Sequence, residues 1–281
     1  MNRRGGLWRR FLRHRSAAAG LVVIAALAVV AALAPWLAPH PPDVQNLPGR
    51  LAPPGTPGHP LGTDELGRDI LSRLLYGARI SLVIGIIVVA VAVGVGVPAG
   101  ALAGYNPRYD GVIMRAVDLM LSFPGILLAL VIIAVLGPGL GNTMLAVGIF
   151  SVPVFVRITR ASILSVRELE YVQAARAAGA RDGRILFRHM LPNCLAPLLV
   201  QATFRVATSI LTAASLSFIG LGAQPPTPEW GAMLATGRVN LYIAPHVTLY
   251  PGLAIFITVL AFNLLGDGLR DVLDPRLRAA H

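Results

Sequence analysis

Long runs of uncharged residues constrain the fold of this chain more than any other feature of its sequence. Residues 16–39 and residues 80–104 contain no Asp, Glu, Lys or Arg. About 20 apolar residues are enough for a helix to cross the hydrocarbon core of a bilayer, so both runs are long enough. Hydrophobic residues make up 55% of the chain and charged residues 13%, which argues against an ordinary soluble domain. The sequence therefore predicts an all-α integral membrane protein.

Six transmembrane helices are predicted, and an even number places both termini on one side of the membrane. Residues 16–39 form the first, because this run is longer than the core of a cleaved signal peptide. Residues 40–79 form a loop outside the membrane, and residues 80–268 form a five-helix core whose glycines are expected to allow close helix packing. The core helices are predicted at 80–104, 116–137 with a break at Pro124, 143–156, 198–219 and 248–266.

An amphipathic helix is predicted at the end of the 40–79 loop. Leu66, Ile70 and Leu74 recur at helical spacing, while Asp69 and Arg73 lie four residues apart on what we interpret as its polar side. Upstream of this helix the loop is rich in proline and glycine, so little regular structure is expected there. The amphipathic helix is expected to lead into the second transmembrane helix.

The distribution of arginine orients the predicted helices. All 24 basic residues are arginine, and most of them lie in residues 1–15, 105–115, 157–197 and 269–281. Because the cytoplasmic segments of membrane proteins carry an excess of basic residues, these four segments are predicted to be cytoplasmic. The net charge of +11 is thereby explained without a nucleic-acid partner.

The residue types that are scarce exclude several kinds of site. The chain has no lysine, so it cannot carry the lysine of a P-loop ATPase, and any ATP hydrolysis must take place on another chain. Its single cysteine, Cys194, excludes an internal disulfide, and its six histidines show no pairing typical of a metal site. No catalytic, cofactor-binding or metal-binding residue is predicted in this chain.

The longest polar interruption in the second half of the chain runs from Glu168 to Pro192. Its pattern predicts a helix from Glu168 to Ala178, a turn at Gly179, and a second helix that Asp182 caps and Pro192 ends. Arginines recur throughout this stretch and make it strongly basic. The residues alone leave two interpretations open: a hairpin that binds another protein, and an amphipathic element on the lipid headgroups.

Within this stretch, YVQAARAAGARDGRILFRHMLPN resembles the conserved cytoplasmic loop, the EAA motif, of binding-protein-dependent ABC importer permeases. Two positions depart from the family pattern: Gln173 stands where glutamate is usual, and His189 stands where isoleucine is usual. Because glutamine carries no charge, a salt bridge from position 173 is not expected. The positions that match are Ala174, Ala175, Gly179, Leu191 and Pro192.

Three other segments carry the same resemblance. They are LGTDELGRDILSRLLYGARISL, SFIGLGAQPPTPEWGAML and NLLGDGLRDVLDPRLR, which resemble segments of the dipeptide, oligopeptide and nickel permeases in the expected order. The N-terminal tail and first helix resemble those of the second permease subunit in such systems. The resemblance implies a type I ABC importer permease fold in the bacterial cytoplasmic (inner) membrane, and transport of di- or oligopeptides or related small solutes.

The resemblance also implies partners for this chain. These are a second, homologous permease subunit, two ABC ATPase subunits that bind the ATP, and an extracytoplasmic solute-binding protein. The loop from Glu168 to Pro192 would fit a cleft in an ATPase subunit and couple the ATPases to alternating access. The candidate coupling residues are Glu170, Gln173, Ala174, Ala175, Gly179, Arg181, Asp182, Arg184, Leu191 and Pro192.

Two further sets of residues are predicted to meet the substrate or a partner. The 198–219 helix is the most polar one, and we interpret it as lining the translocation path beside the partner permease. The candidate path residues are Arg205, Thr208, Ser209, Thr212 and Ser215. The loop that follows would face the binding protein, although its prolines are equally consistent with a rigid turn packed over the helices. The candidate contacts are Gln224, Glu229 and Trp230.

Two other classes of protein compete with this interpretation. An ion-coupled secondary transporter acting alone would need a carboxylate in mid-membrane or inverted repeats, and neither is evident. An intramembrane enzyme would need a nucleophile with a base, and no histidine lies near a GxSxG serine. Asp118 and Asp267 lie near helix ends, where structural ion pairs are expected rather than substrate contacts.

Overall fold

The computed structural model describes residues 14–273, and nine α-helices, counting the continuous helix from Asp182 to Phe218 as one, make up most of this range. The all-α class predicted from the sequence is thereby confirmed. The tails predicted at 1–15 and 269–281 lie largely outside the described residues. The helix bounds are α1 Arg15–Leu37, α2 Ile70–Tyr105, α3 Pro107–Leu121, α4 Gly125–Leu136, α5 Leu140–Arg167, α6 Glu170–Ala177, α7 Asp182–Phe218, α8 Trp230–Gly237 and α9 His246–Leu273.

Five of these helices are long and apolar enough to cross a membrane, namely α1, α2, α5, α7 and α9. The pair α3 and α4 would make a sixth span if it counts as one, but the two helices meet at an angle of 89°. At 12 residues, α4 is about 18 Å long and too short to cross alone. The described residues therefore contain five or six spans, against the six predicted.

Residues 105–115 lie between two predicted helices and were expected to form a short loop; this expectation is wrong, because α3 begins within them. Asn106 caps α3 by accepting a hydrogen bond from the backbone N–H of Arg108, 3.0 Å away, and Pro107 occupies the first helical turn. An asparagine cap followed by proline is a favoured helix start, although each residue by itself is typical of loops. The predicted break at Pro124 is present, because Pro124 directly precedes the first residue of α4.

Two ion pairs join α3 to α5. Arg160 contacts both carboxylate oxygens of Asp110, at 2.5 and 2.6 Å, and Nη2 of Arg157 lies 2.6 Å from Oδ1 of Asp118. Asp118 thus forms the structural pair expected of it. Asp267 is exposed on α9, and within residues 14–273 no ion pair to it is found.

The start of α2 differs from the prediction, and the side interpreted as polar is buried. The helix begins at Ile70 rather than near Leu66, because Asp69 caps it and accepts a hydrogen bond from the backbone N–H of Ser72 at 2.7 Å. Only 1% of Asp69 and 4% of Arg73 is exposed. A carboxylate cap satisfies N–H groups that have no partner within the helix, which explains why a buried aspartate is stable there.

A buried ionic cluster holds the segment between α1 and α2 against the rest of the protein. Asp64 accepts a hydrogen bond from Nε of Arg68 at 2.6 Å, and the same carboxylate oxygen lies 3.5 Å from Nε of Arg73. Nη1 of Arg73 donates to the carbonyl oxygens of Pro42, at 3.0 Å, and Pro226, at 3.3 Å. Arg73 therefore joins the loop after α1 to the loop after α7.

The most extensive helix contact is between α2 and α5, and it depends on glycine. Gly96, Gly100 and Gly104 lie four residues apart on the face of α2 that meets α5. A Cβ atom on Gly100 would lie 2.5 Å from the carbonyl oxygen of Val156, and one on Gly104 would lie 2.8 Å from Cβ of Ile163. Small residues at this spacing allow helix backbones to approach closely in a membrane, as was expected of this helix.

Gly100→Val is expected to destabilise the α2–α5 contact, because the new side chain would overlap the backbone of α5. Overpacking of this kind costs about 1–3 kcal/mol. Gly94→Val is the matched control, since no other atom lies within 4 Å of a Cβ at Gly94. The thermal unfolding midpoint of the detergent-solubilised protein should fall for Gly100→Val and not for Gly94→Val. Equal midpoints for the two variants would contradict the close contact.

Candidate coupling hairpin and translocation face

The hairpin formed by α6 and the start of α7 rests on a hydrophobic cluster. Val172 of α6 is fully buried, and it shares this cluster with Ile185, Met190 and Cys194 of α7 and with Ile163 of α5. Burying a side chain of this size contributes about 1.5–3 kcal/mol. The underside of the hairpin is therefore anchored to α5 and α7.

The turn between α6 and α7 is a Schellman motif centred on Gly179. The backbone N–H of Gly179 donates to the carbonyl oxygen of Arg176 at 3.0 Å, and that of Ala180 donates to Ala175 at 3.1 Å. This pair of bonds satisfies carbonyl groups that the end of α6 leaves free, and it requires a positive φ at the residue after the cap. Gly179 has φ +77°, a value that residues with a Cβ rarely adopt. The turn predicted at Gly179 is observed.

Side-chain hydrogen bonds fasten α6 to α7. The Tyr171 hydroxyl donates to the carbonyl oxygen of His189 at 3.1 Å and accepts from Nδ2 of Asn193 at 2.9 Å. Partial burial raises the pKa of Tyr171, which favours the protonated form that donates this bond. Sequence reasoning missed Tyr171 and Asn193, whose partners lie about 20 residues away in the chain and carry no local signal.

The prediction that Asp182 caps α7 is wrong. Arg181 is the capping residue, and Asp182 is the first residue of the helix. The Asp182 carboxylate accepts a hydrogen bond from the hydroxyl of Tyr105, the last residue of α2. A negative charge in the first turn still suits the positive end of the helix dipole, and here it also ties α7 to α2.

Gln173 has a role that the usual glutamate could not fill. Its Nε2 donates a hydrogen bond to the backbone carbonyl oxygen of Arg167, the last residue of α5, at 3.0 Å. An ionised carboxylate has no proton to donate and would face a carbonyl oxygen there. Gln173 therefore links the end of α5 to α6 by a bond that depends on its amide.

The second helix of the hairpin does not end at Pro192, contrary to prediction. It continues as α7 to Phe218, with a π-helical segment at Ile185–Met190. In this segment the N–H of Leu191 bonds to the carbonyl oxygen of Leu186, five residues earlier. In a regular α-helix a proline ring clashes with the carbonyl group four residues before it. The π-helical segment directly before Pro192 departs from regular α-helical geometry at that carbonyl, which allows the helix to continue past the proline. The second helix of the hairpin and the next span are thus one continuous helix.

The outer face of the hairpin is exposed and basic. Arg176, Arg181, Arg184 and Arg188 are exposed, and so is 70% of Phe187. Sequence reasoning missed Phe187, which follows the buried Ile185 by two residues and therefore points away from the cluster. Of the predicted coupling residues, Glu170, Gln173, Ala174, Gly179, Arg181, Asp182, Arg184 and Pro192 are exposed, while Ala175 and Leu191 are half-buried.

Four of the five predicted path residues share one face of α7. Arg205, Thr208, Thr212 and Ser215 follow one another at spacings of three and four residues, as neighbours on one side of a helix do. Gln201, four residues before Arg205, extends this face and was missed, although its spacing signals it. Thr208 and Ser215 are exposed, and the others are half-buried. Ser209 lies four residues after Arg205 but is buried in the interior of the protein.

Arg205 is held between α5 and α7. Its Nε donates to the hydroxyl of Ser151 at 2.8 Å, and its guanidinium carbon lies 4.7 Å from the centre of the Phe150 ring. Nη2 is buried without a hydrogen-bond partner. We call the line of residues from Gln201 to Ser215 that includes Arg205 the polar face of α7.

A cavity of about 470 Å³ lies beside the end of this face that Gln201 forms. It is bounded by α5, α7 and α9, and its polar lining residues are Asn193, Gln201 and Arg270. Phe204, Val200 and other apolar side chains complete its walls. Gln201 belongs both to the cavity and to the polar face, so the two are continuous.

The predicted binding-protein contacts are only partly at the surface. Glu229 is 1% exposed and caps α8, because its carboxylate oxygens accept hydrogen bonds from the N–H groups of Gly231 and Ala232, both at 2.9 Å. Burial raises the pKa of Glu229 in spite of these bonds. Trp230 is also buried, and its Nε1 donates to the Leu74 carbonyl oxygen at 3.1 Å.

Gln224 is the predicted contact that the structure does leave exposed. A second exposed group follows α8 and was missed by sequence reasoning, because apolar residues are expected to be buried. Val239, Leu241 and Ile243 are largely exposed, and 99% of Tyr242 is exposed. The segment after α8 therefore presents apolar side chains at the surface of the described chain.

Comparison with known proteins identifies the family. Residues 96–279 match the model of the family described as binding-protein-dependent transport system inner membrane component. The chain belongs to this family. Residues 5–54 of the permease also match the N-terminal TM domain of oligopeptide transport permease C. The family predicted from the sequence is thus confirmed, and with it the location in the inner membrane.

Two relatives show how far the similarity extends. The permease is 51% identical over 276 residues to the glutathione transport system permease protein GsiD of Pectobacterium atrosepticum, an alignment that covers 97% of this chain and 91% of the relative. It is 49% identical over 279 residues to the di/tripeptide transport system permease protein DppC of Pseudomonas aeruginosa, and this alignment covers 97% of this chain and 92% of the relative. Because such proteins are permease subunits, this chain is a transporter subunit rather than an ATPase, as predicted.

Solved structures share the fold. An inward-facing structure of the MetNI methionine ABC transporter aligns with a TM-score of 0.59 and 21% identity, over 72% of the permease and 97% of the solved chain. At this level of identity the likeness bears on the fold alone. The helical arrangement over most of the described chain is thus one already known in ABC transporters.

Gln173→Glu is expected to loosen α6, because a carboxylate cannot donate to the Arg167 carbonyl oxygen. Losing one hydrogen bond of about 1 kcal/mol should speed hydrogen exchange of the α6 amides roughly fivefold. Glu170→Gln is the matched control, since it also exchanges a carboxylate and an amide on α6, at an exposed position. Mass spectrometry of the purified permease measures the exchange. Unchanged protection in Gln173→Glu would show that the bond does not hold α6.

Proposed function

We propose that this permease is the second-type permease subunit of an ATP-driven importer for di- or tripeptides, glutathione or related small peptides. The observation that carries the proposal is the identity of about half of its residues, over nearly its full length, with permeases of glutathione and di/tripeptide transport. ATP is bound by two partner ATPase subunits, since the chain has no lysine for a P-loop. A second permease subunit and an extracytoplasmic binding protein complete the transporter.

The hairpin is the proposed contact with an ATPase subunit. Its exposed face offers four arginines, the small side chains of α6 and the ring of Phe187 to a cleft in that subunit. The hairpin is hydrogen-bonded to α2 through Tyr105 and to α5 through Gln173, and Tyr171 joins α6 to α7. Movement of the ATPases would therefore move three helices together, which suits a rigid-body change between inward and outward states.

The proposed topology has six spans and cytoplasmic termini. In this arrangement α3 and α4 form one span that is bent at Pro124, and the basic hairpin lies in the cytoplasm in accordance with the positive-inside rule. The segment between α1 and α2, together with α8, then faces the binding protein. Gln224 and the exposed residues around Tyr242 are the proposed contacts, while Glu229 and Trp230 support that surface from beneath.

The polar face of α7 is the proposed wall of the translocation path. Its hydroxyl groups lie in a helix that is otherwise apolar enough to cross a membrane. Polar groups in such a helix are expected to face a water-filled cavity or another subunit. The cavity beside Gln201 supports this assignment, because it continues the face towards the cytoplasmic end of α7.

The test is reconstitution of the complete transporter in liposomes, with the second permease, both ATPases and the binding protein. Uptake of radiolabelled dialanine or glutathione should require ATP on the side of the membrane where the ATPases lie. It should also require the binding protein on the opposite side. Omitting the ATPases should abolish uptake. Uptake by this permease alone, driven by an ion gradient without ATP, would instead establish a secondary transporter.

Gly179→Ala is expected to impair coupling, because alanine at φ +77° strains the Schellman motif by about 1–2 kcal/mol. The variant should insert normally and should lose much of its substrate-stimulated ATPase activity and uptake in the reconstituted transporter. Gly183→Ala is the matched control four residues away, where a Cβ also meets open space but φ is not positive. Normal uptake by Gly179→Ala would argue against the hairpin as the coupling element.

A further inference from the structure

Arg205 is a charged residue deep within a membrane-crossing helix. It lies 13 positions before Phe218, the end of α7, which places it about 20 Å along the helix axis from that end. The hydrocarbon core of a bilayer is about 30 Å thick, so with Phe218 at one edge of the core Arg205 would lie about 20 Å into it. A charged side chain at that depth is costly and marks a functional site by default.

The charge of Arg205 is not neutralised by the described part of the chain. Its contacts there are the Ser151 hydroxyl and the face of the Phe150 ring, neither of which carries a negative charge. Nη2 has no hydrogen-bond partner. Arg157 and Arg160, by contrast, are each paired with an aspartate. Arg205 is therefore a cation within the membrane that retains unused hydrogen-bond donors.

The other groups on the polar face are complementary to N–H donors. The hydroxyl of Thr212 donates to the carbonyl oxygen of Thr208 at 2.8 Å, and that of Ser215 donates to Leu211 at 2.9 Å. Thr208 likewise donates to a carbonyl oxygen of its own helix. A hydroxyl whose proton is used in this way still offers lone pairs and acts as an acceptor. The face thus combines one cation with a series of hydrogen-bond acceptors.

We propose that Arg205 binds the free carboxylate of a peptide substrate during translocation, an inference that rests on the proposed function. A peptide has the matching groups: a carboxylate for the guanidinium, and amide and ammonium N–H groups for the threonine and serine oxygens. Guanidinium and carboxylate form strong, charge-assisted hydrogen bonds. Contacts with Ser151 and Phe150 hold the guanidinium against α5 of the same chain, beside the path. The side chain therefore does not extend towards another subunit.

The test compares uptake of dialanine and of its C-terminal amide by the reconstituted transporter, each at a concentration that saturates the binding protein. Arg205→Gln should lower uptake of dialanine by about tenfold or more, since a hydrogen bond to a charged group is lost, and should lower uptake of the amide less than twofold. Arg205→Lys keeps the charge and should retain a preference for the free acid. Arg238→Gln is the matched control, because Arg238 also lies over an aromatic ring, 5.1 Å from Phe218, but outside the polar face.

An equal loss of uptake for both substrates in Arg205→Gln would overturn the inference, because it would indicate a structural role or a pair with an acidic residue of the second permease. Unchanged uptake of both would overturn it as well. If Arg205→Gln does not accumulate, Arg205→Met, which also removes the charge, takes its place, and a ratio of acid to amide uptake equal to that of Arg238→Gln counts against the inference. Failure of the proposed function is distinct, since the unmodified transporter would then take up neither peptide.

Discussion

The close contact between the glycine face of α2 and α5 is the interaction on which the rest of the structure depends. Gly96, Gly100 and Gly104 bring the α2 backbone against α5, and Ile163 at this contact also belongs to the cluster beneath the hairpin. The residue directly after Gly104, Tyr105, ends α2 and binds the start of α7. The position of the hairpin is therefore set by how closely two membrane helices approach, which only residues without a side chain permit.

The continuity of α7 connects the hairpin to the polar face without a flexible joint. The helix runs for 37 residues, a length of about 55 Å, and includes the exposed Arg184 and Arg188 at one end and Ser215 near the other. The π-helical segment at Ile185–Met190 allows α7 to contain Pro192 without a break. Under the proposed function, a displacement of the hairpin by an ATPase subunit would shift the path wall as one body. A loop at Pro192 would have absorbed that displacement instead.

Arginine has different roles in different parts of the described chain. The arginines of the hairpin are exposed, and their positive charge favours a cytoplasmic position for the hairpin. In the segment between α1 and α2 and at the start of α2, Arg68 and Arg73 are buried against Asp64, and Arg73 holds two loops together. Arg205 resembles neither group, because it lies in the membrane beside Ser151 and an aromatic ring. The environment of each guanidinium, and not its residue type, decides what it does.

The amino-acid sequence by itself determined the helical class, most of the spans, the turn at Gly179 and the family, because these depend on the length of apolar runs, on a positive φ and on local motifs. Tertiary structure alone decided which polar residues are buried. Glu229 and Asp69 cap helices in the interior, and Ser209 lies on a different side of α7 from Thr208. Burial depends on neighbours that are distant in the chain, as when Arg73 meets Pro226, and no local pattern records such a neighbour.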